Sequence, residues 1–219
     1  MGSRHGAQGG ARSHPRRCAE AGAAARAQAP RARSALSVRA DPDRSVAIIG
    51  GGPAGLMAAE AASSAGARVD VYDAMPSVGR KFLMAGKGGL NLTHAEPIES
   101  FLSRYGARRA RLEPVLAGFG PEALRAWALG LGIETFVGSS SRVFPSGMKA
   151  APLLRAWLHR LRAAGVRFHV RHRWCGWGLD ADGEGALRMA TPQGERSVRA
   201  GALVLAPGGG SWARLGSTG

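Results

Sequence analysis

SVAIIGGGPAGLMAAEAASSAGARVDVYD, residues 45–73, decides how the rest of the chain is read. SVAIIG is a short apolar run, suited to a strand buried on both faces. PAGLMAAEAASSAG is rich in small helix-forming residues and ends on Gly66, while ARVDVYD returns to a strand pattern. Between the first strand and the helix, Gly50-Gly51-Gly52-Pro53-Ala54-Gly55 fits G-x-G-x-x-G. Each glycine has a separate task. Gly50 permits the tight turn, Gly52 lacks the Cβ that would keep a pyrophosphate off the backbone, and Gly55 allows helix and strand to pack closely. The helix N-terminus, with Pro53 and Ala54 in its first turn, offers free N–H groups and the positive end of its dipole to phosphate. Asp73 closes the second strand 18 residues after Gly55, where a carboxylate takes ribose hydroxyls and repels a 2′-phosphate. A glycine turn without strand, helix and acid is a weak signal. With all three in place it predicts adenine-dinucleotide binding.

Working outward, GRKFLMAGKGGLNLTHAE (79–96) reads as a long glycine-punctuated loop, part of an irregular stretch over 74–96. PIESFLSRYG and PEALRAWALGLG read as helices. AAPLLRAWLHRLRAAG sets Leu153, Leu154, Trp157, Leu158 and Leu161 on one stripe, with Gly165 as its stop. VRFHV is a third strand. RWCGWGL, ALRMATP and ERSVRAG, parted by DADG and TPQG, read as a three-strand meander, and ALVLAP as a buried strand. The pattern predicts an α/β, Rossmann-like fold: a mostly parallel sheet, helices on both faces and a β-meander crossover.

Two of the quoted stretches, with RVFPSGMKAAPLLRAWL and the closing APGGGSWARLGSTG, carry a resemblance. Gly79-Arg80-Lys81, the cluster Gly86 to Gly89 and Asn91-Leu92-Thr93 are similar to the second signature of BaiN/YhiN-type flavoproteins, also described as aminoacetone-oxidase-like FAD-binding enzymes. GSSSRVFPSGMKAAPLLRAWL resembles that family's G-R-x-F-P-x-x-x-K-A segment, and the closing stretch its A-T-G-G-x-S…G-S-T-G loop. The resemblance runs in order from Ser45 to Gly219 and implies FAD as cofactor and NAD(P)H as reductant. Arg80 and Lys81 then offset pyrophosphate charge. Gly88, Gly208 and Gly209 let backbone lie along the cofactor, and Asn91 and Thr93 supply neutral hydrogen-bond partners. The family's S-G-G-G-R-C-N is replaced by Ala85-Gly86-Lys87-Gly88-Gly89-Leu90-Asn91, so no role of its Arg–Cys pair carries over. Lys87 is an added cation, and Pro207 stands for the usual Thr. Known substrates of the family are therefore not transferred, and no catalytic residue is assigned.

Composition bounds the rest. Hydrophobic residues make up 45% of the 219, enough for a core. Of the net charge of +15, residues 1–40 hold +7, and Arg outnumbers Lys by 27 to 3, a bias ascribed first to GC-rich coding. Residues 1–43 are Ala/Arg/Gly-rich and expected to be disordered, as an untargeted extension in preference to a transit peptide. The remaining 44–219 form the FAD/NAD(P)-binding domain. It ends on a strand and an open glycine loop, so it is expected to be C-terminally truncated and not competent alone. Cys18 and Cys175 make no C-x-x-C, which excludes dithiol flavin reductases and leaves the reducing cytoplasm as the default. No apolar run approaches a membrane span. The histidines stand without a metal-ligand set: His94 reads as an exposed loop residue in preference to a proton donor, His159 as solvated, and His169 and His172 as lacking a matched carboxylate. Ser139 to Ser141 form a polar turn and no nucleophile elbow. Trp157 and Phe168 read as core. Two rival readings remain, an adenine-dinucleotide-binding module without turnover and an RNA or polyanion binder acting through the Arg-rich tail. The second lacks any recognisable nucleic-acid module.

Overall fold

The computed structural model describes residues 44–85 and 88–210, so the readings for 1–43, for Lys87 and for the closing 211–219 lie outside the described residues. It separates into two units. The larger takes in residues up to Arg173 and from Ala200 onward, and the smaller covers Trp174–Arg199.

In the larger unit β1 (Ser45–Ile49) leads through the glycine turn to α1 (Pro53–Ser64), and β2 (Arg68–Asp73) follows. Next come α2 (Arg80–Ala85), β3 (Thr93–His94), α3 (Ile98–Ser103), a 3-10 turn, α4 (Arg109–Gly118), α5 (Pro121–Gly130), β4 (Thr135–Val137), β5 (Arg142–Pro145), α6 (Ala150–Ala163) and β6 (Arg167–Val170). After the smaller unit, β10 (Ala202–Leu205) returns to the main sheet, whose strand order is β10-β1-β2-β6. All three pairings in that sheet are parallel. The fold is the α/β Rossmann type expected.

Strand alternation sorts the side chains by face. Val46, Ile48, Val69, Val71, Phe168 and Val204 meet one core cluster, with Leu56 and Ala59 of α1 and Leu153, Leu154, Trp157 and Leu161 of α6. The stripe read on α6 is therefore its buried face, and Arg160 and Arg162 in its last turn suit the negative end of its dipole. Leu90, on the stretch between α2 and β3, reaches the same cluster.

Three expectations change. The irregular stretch over 74–96 contains a helix, because RKFLMA is a run of good helix formers that flanking glycines obscure. Residues 109–118 form a helix the sequence reading did not single out, and Pro114 inside it hid the pattern. ALVLAP is an edge strand in this chain: β10 pairs only with β1 among the described residues, and Leu205 is 51% exposed. Apolar composition made it look central, but position in the sheet decides burial.

The smaller unit carries the meander as read, β7 (Arg173–Leu179), β8 (Gly185–Thr191) and β9 (Gly194–Val198), in the order β7-β8-β9. Its first turn is held by Asp180, whose Oδ1 accepts the backbone N–H groups of Asp182 and Glu184 at 3.0 and 2.8 Å.

Candidate dinucleotide site

Parallel strands place their C-terminal ends at one edge of the sheet, and β1 has β2 on one side and β10 on the other. The chain leaves β1 for β2 in one direction, while the returning β10 lies in the other, so the crevice at the end of β1 is a topological switch point. The glycine turn sits there. Gly52 is the N-cap of α1, Pro53 is its first residue, and no side chain caps the helix. Its first N–H groups are therefore free for an anion.

Two of the stretches read from the sequence, the start of α2 and the end of β10, reach this turn through backbone contacts. Gly79 N–H donates to Gly51 O at 2.8 Å, which seats the start of α2 against the turn. Ala206 N–H donates to Ile49 O at 2.8 Å, continuing the β10 ladder to the end of β1. Lys81 Nζ donates to Gly209 O at 3.1 Å, joining α2 to the loop after β10. The stretch from Leu90 to Ala95 is bonded to residues 141–148: Leu90 N–H to Met148 O, Leu92 N–H to Val143 O and Ala95 N–H to Ser141 O, at 2.8–2.9 Å. Asn91, exposed, and Thr93, on β3, are thus tied to the β5 side and not to the glycine turn itself.

The glycines divide by what surrounds them. At Gly50, with φ +109°, a Cβ would collide with Ala206 O; at Gly55 it would collide with Gly50 O. Both are glycine because the fold leaves no room. At Gly52, Gly88 and Gly209 a Cβ would meet nothing within 4 Å. Packing among the described residues does not require glycine at those three positions, and at Gly52, the N-cap of α1, the backbone is left bare. Gly208 takes a positive φ of 77°. Arg80 Nε is buried and finds no partner among the described residues. An unpaired guanidinium N–H, one residue after the Gly79 bond to the turn, and a free helix N-terminus both suit a diphosphate, and the donor set fits FAD.

Asp73 does more than the sequence reading assigned to it. Its Oδ2 accepts Gly51 N–H at 2.9 Å and its Oδ1 accepts Met75 N–H at 2.8 Å. The carboxylate therefore braces the turn, and its remaining lone pairs stay available to a ribose. Beyond it, Arg171 N–H reaches Met75 O and His172 N–H reaches Asp73 O, both at 2.9 Å, which fixes the end of β6 beside the end of β2.

Sequence reasoning missed two side-chain clusters. On β2 and β6, Asp70 accepts from Arg167 at 2.5 Å and lies 2.7 Å from His169 Nε2, while Tyr72 stacks on His169 with centroids 4.6 Å apart. His169 thus has a carboxylate partner after all, 99 residues away in sequence. Burial pushes the Asp70 carboxyl up, but the bonds and charges of Arg167 and His169 outweigh it and hold the group below its ordinary value. Burial, with Asp70 adding to it, pushes the Tyr72 phenol up to about 12. The other cluster centres on Glu60 of α1. It accepts from Trp157 Nε1 at 2.6 Å and from Trp127 Nε1 at 3.1 Å, with Arg160 Nη1 at 3.4 Å. His94 is also less exposed than expected, its side chain 20% accessible and its Nδ1 3.4 Å from Glu96. His159 is exposed, as expected. Among the described residues no group of His, Cys, Asp and Glu is placed to hold a metal, and no helix is long and apolar enough to cross a membrane.

A glycine turn at a switch point, a bare helix N-terminus and a strand-end acid define a Rossmann-type dinucleotide-binding domain. The chain belongs to the HI0933-like family, whose Rossmann domain matches residues 44–219. This is a family of FAD-dependent oxidoreductases, as the resemblance to BaiN/YhiN-type flavoproteins implied, and its cofactor is FAD. No curated protein sequence matches the chain. Among solved structures it is similar in fold to the 3-ketosteroid-Δ4-(5α)-dehydrogenase of Rhodococcus jostii RHA1, with TM-score 0.56 and 21% identity over 81% of this chain and 48% of that one. THI4 of Thermovibrio ammonificans (TM-score 0.48, 18% identity, 75% of this chain and 57% of that) and the OxyS anhydrotetracycline hydroxylase of Streptomyces rimosus (TM-score 0.44, 23% identity, 78% of this chain and 32% of that) lie further off. The chain spans about half the length of the first of these.

Proposed function

We propose that residues 44–219 form the FAD-holding part of a flavin-dependent oxidoreductase that NAD(P)H reduces. The observation that supports this is the uncapped N-terminus of α1 at the switch point, where the fold needs Gly50 and Gly55 while Gly52 leaves the backbone bare, in a chain whose residues 44–219 match the HI0933-like Rossmann domain. In this reading the N-terminus of α1 and the bare backbone at Gly52 hold the pyrophosphate, with Pro53 and Ala54 shaping that first turn. Arg80 and Lys81 neutralise it, and Asp73 takes the ribose. Gly88, Asn91, Thr93, Gly208 and Gly209 line the rest of the cofactor. FAD supplies the two-electron chemistry, and the protein supplies binding, orientation and exclusion of water. The substrate is left open.

The test is calorimetric titration of the purified chain with FAD, ADP and adenosine, followed by anaerobic mixing of the FAD-loaded chain with NADH and with NADPH. Binding of FAD and ADP with bleaching of flavin absorbance supports the whole reading. Binding without bleaching leaves an adenine-dinucleotide module without turnover, and failure to bind FAD or ADP removes the reading.

A further inference from the structure

Lys81 stands on the first turn of α2, two residues after Gly79, whose N–H is bonded to the glycine turn, and its ammonium already reaches across to Gly209 O at 3.1 Å. That contact joins the segment seated on the glycine turn to the loop after β10. On one side lie Gly51 and Gly52, with Gly79 bonded to Gly51 O; on the other lies the loop that follows β10, starting at Ala206 beside Gly50. An ammonium carries three N–H donors, so one bond to a carbonyl leaves two for an anion. A phosphate oxygen is the stronger partner, since bonds between two charged groups are shorter and roughly twice as strong as neutral ones.

From this placement we infer that Lys81 is a bridging clamp: it holds the loop after β10 through Gly209 and, resting on the cofactor reading above, binds the diphosphate with its remaining donors, so that diphosphate binding and ordering of residues 208–210 support each other. Gly208, Gly209 and Gly210 are exposed, and glycine carries the greatest backbone freedom to lose. Coupling of this kind is reciprocal: if ligand orders the loop through Lys81, then Lys81 raises affinity by the same factor. Adenosine carries no phosphate for the remaining ammonium donors, so it is not expected to order the loop.

The experiment is amide hydrogen exchange on residues 208–210 in the full chain, alone and saturated with ADP or adenosine, for the wild type and for Lys81→Met. In the free chain Lys81→Met is expected to speed exchange there about threefold or more, with thermal melting unchanged. ADP is expected to slow exchange at least fivefold in the wild type and to lose most of that effect in Lys81→Met, whose ADP affinity falls by a similar factor. Adenosine is expected to slow it in neither. Equal protection by ADP in both proteins, or unchanged exchange on mutation of the free chain, would overturn the clamp. If ADP fails to bind the wild type, the cofactor reading fails instead, and the free-chain comparison still decides whether Lys81 holds the loop.

Discussion

At the scale of single residues, the glycines of the turn differ in what a Cβ would meet. A methyl group at Gly52 meets nothing in the protein, so Gly52→Val is expected to fold with an unchanged melting temperature. Its side chain fills the approach to the backbone, and ADP binding should weaken by about 3 kcal/mol, roughly a hundredfold. Calorimetry beside a melting curve checks both halves. Gly55→Ala inverts the pattern, because its methyl collides with Gly50 O, and the melting temperature itself should fall. The packing roles of Gly50 and Gly55 were legible in the sequence, since turn, helix and acid all lie within one 29-residue stretch. The sequence did not show that Asp73 would brace the turn, because a strand-end acid reads the same whether its partner is a ribose or a backbone N–H. Asp73→Asn turns an amide NH2 toward either Gly51 N–H or Met75 N–H. It should lose about 1–3 kcal/mol of ADP affinity and also some melting temperature, where a purely ligand-facing acid would lose only the first.

Between elements, polar side chains pin helices and strands that contact order places far apart. Glu60 binds Trp127 and Trp157, 67 and 97 residues away, so neither spacing nor periodicity announces it. Glu60→Ala leaves two indole N–H groups without an acceptor and should destabilise the protein by about 3 kcal/mol in urea melts, with Glu60→Gln losing less. Asp70 gives a pH dependence of definite sign. Its carboxyl is held below the unfolded value, so the contribution is complete above about pH 4 and is lost as pH falls through the lower, folded value. Wild-type melting temperature should therefore drop more steeply on acidification below pH ~4 than that of Asp70→Asn. Equal slopes would detach β6 from this pair. Parallel strands, α1 and the stripe of α6 were legible because each follows a local period. α2 and α4 were not, since glycines flank one and a proline interrupts the other.

Across the whole molecule, cofactor binding and stability are linked. Ligand at a hundred times its dissociation constant adds about 2.7 kcal/mol to the state that binds it, so saturating FAD should raise the melting temperature of the larger unit. A scan with and without FAD measures it, and an unshifted transition would contradict binding to the folded chain. The partition into two units has an optical consequence. Trp127 and Trp157 pack edge to face in the larger unit and share one carboxylate, with Trp157 only 2% exposed. Trp174 and Trp177 belong to the smaller unit, and Trp177 is 62% exposed. Trp157 is therefore expected to emit toward the blue and Trp177 toward the red, so that in a Trp212→Phe background the two ends of the band report chiefly on different units. Urea transitions followed at the two ends of the emission band would separate if the meander opens first, and would superimpose if the chain yields in a single step.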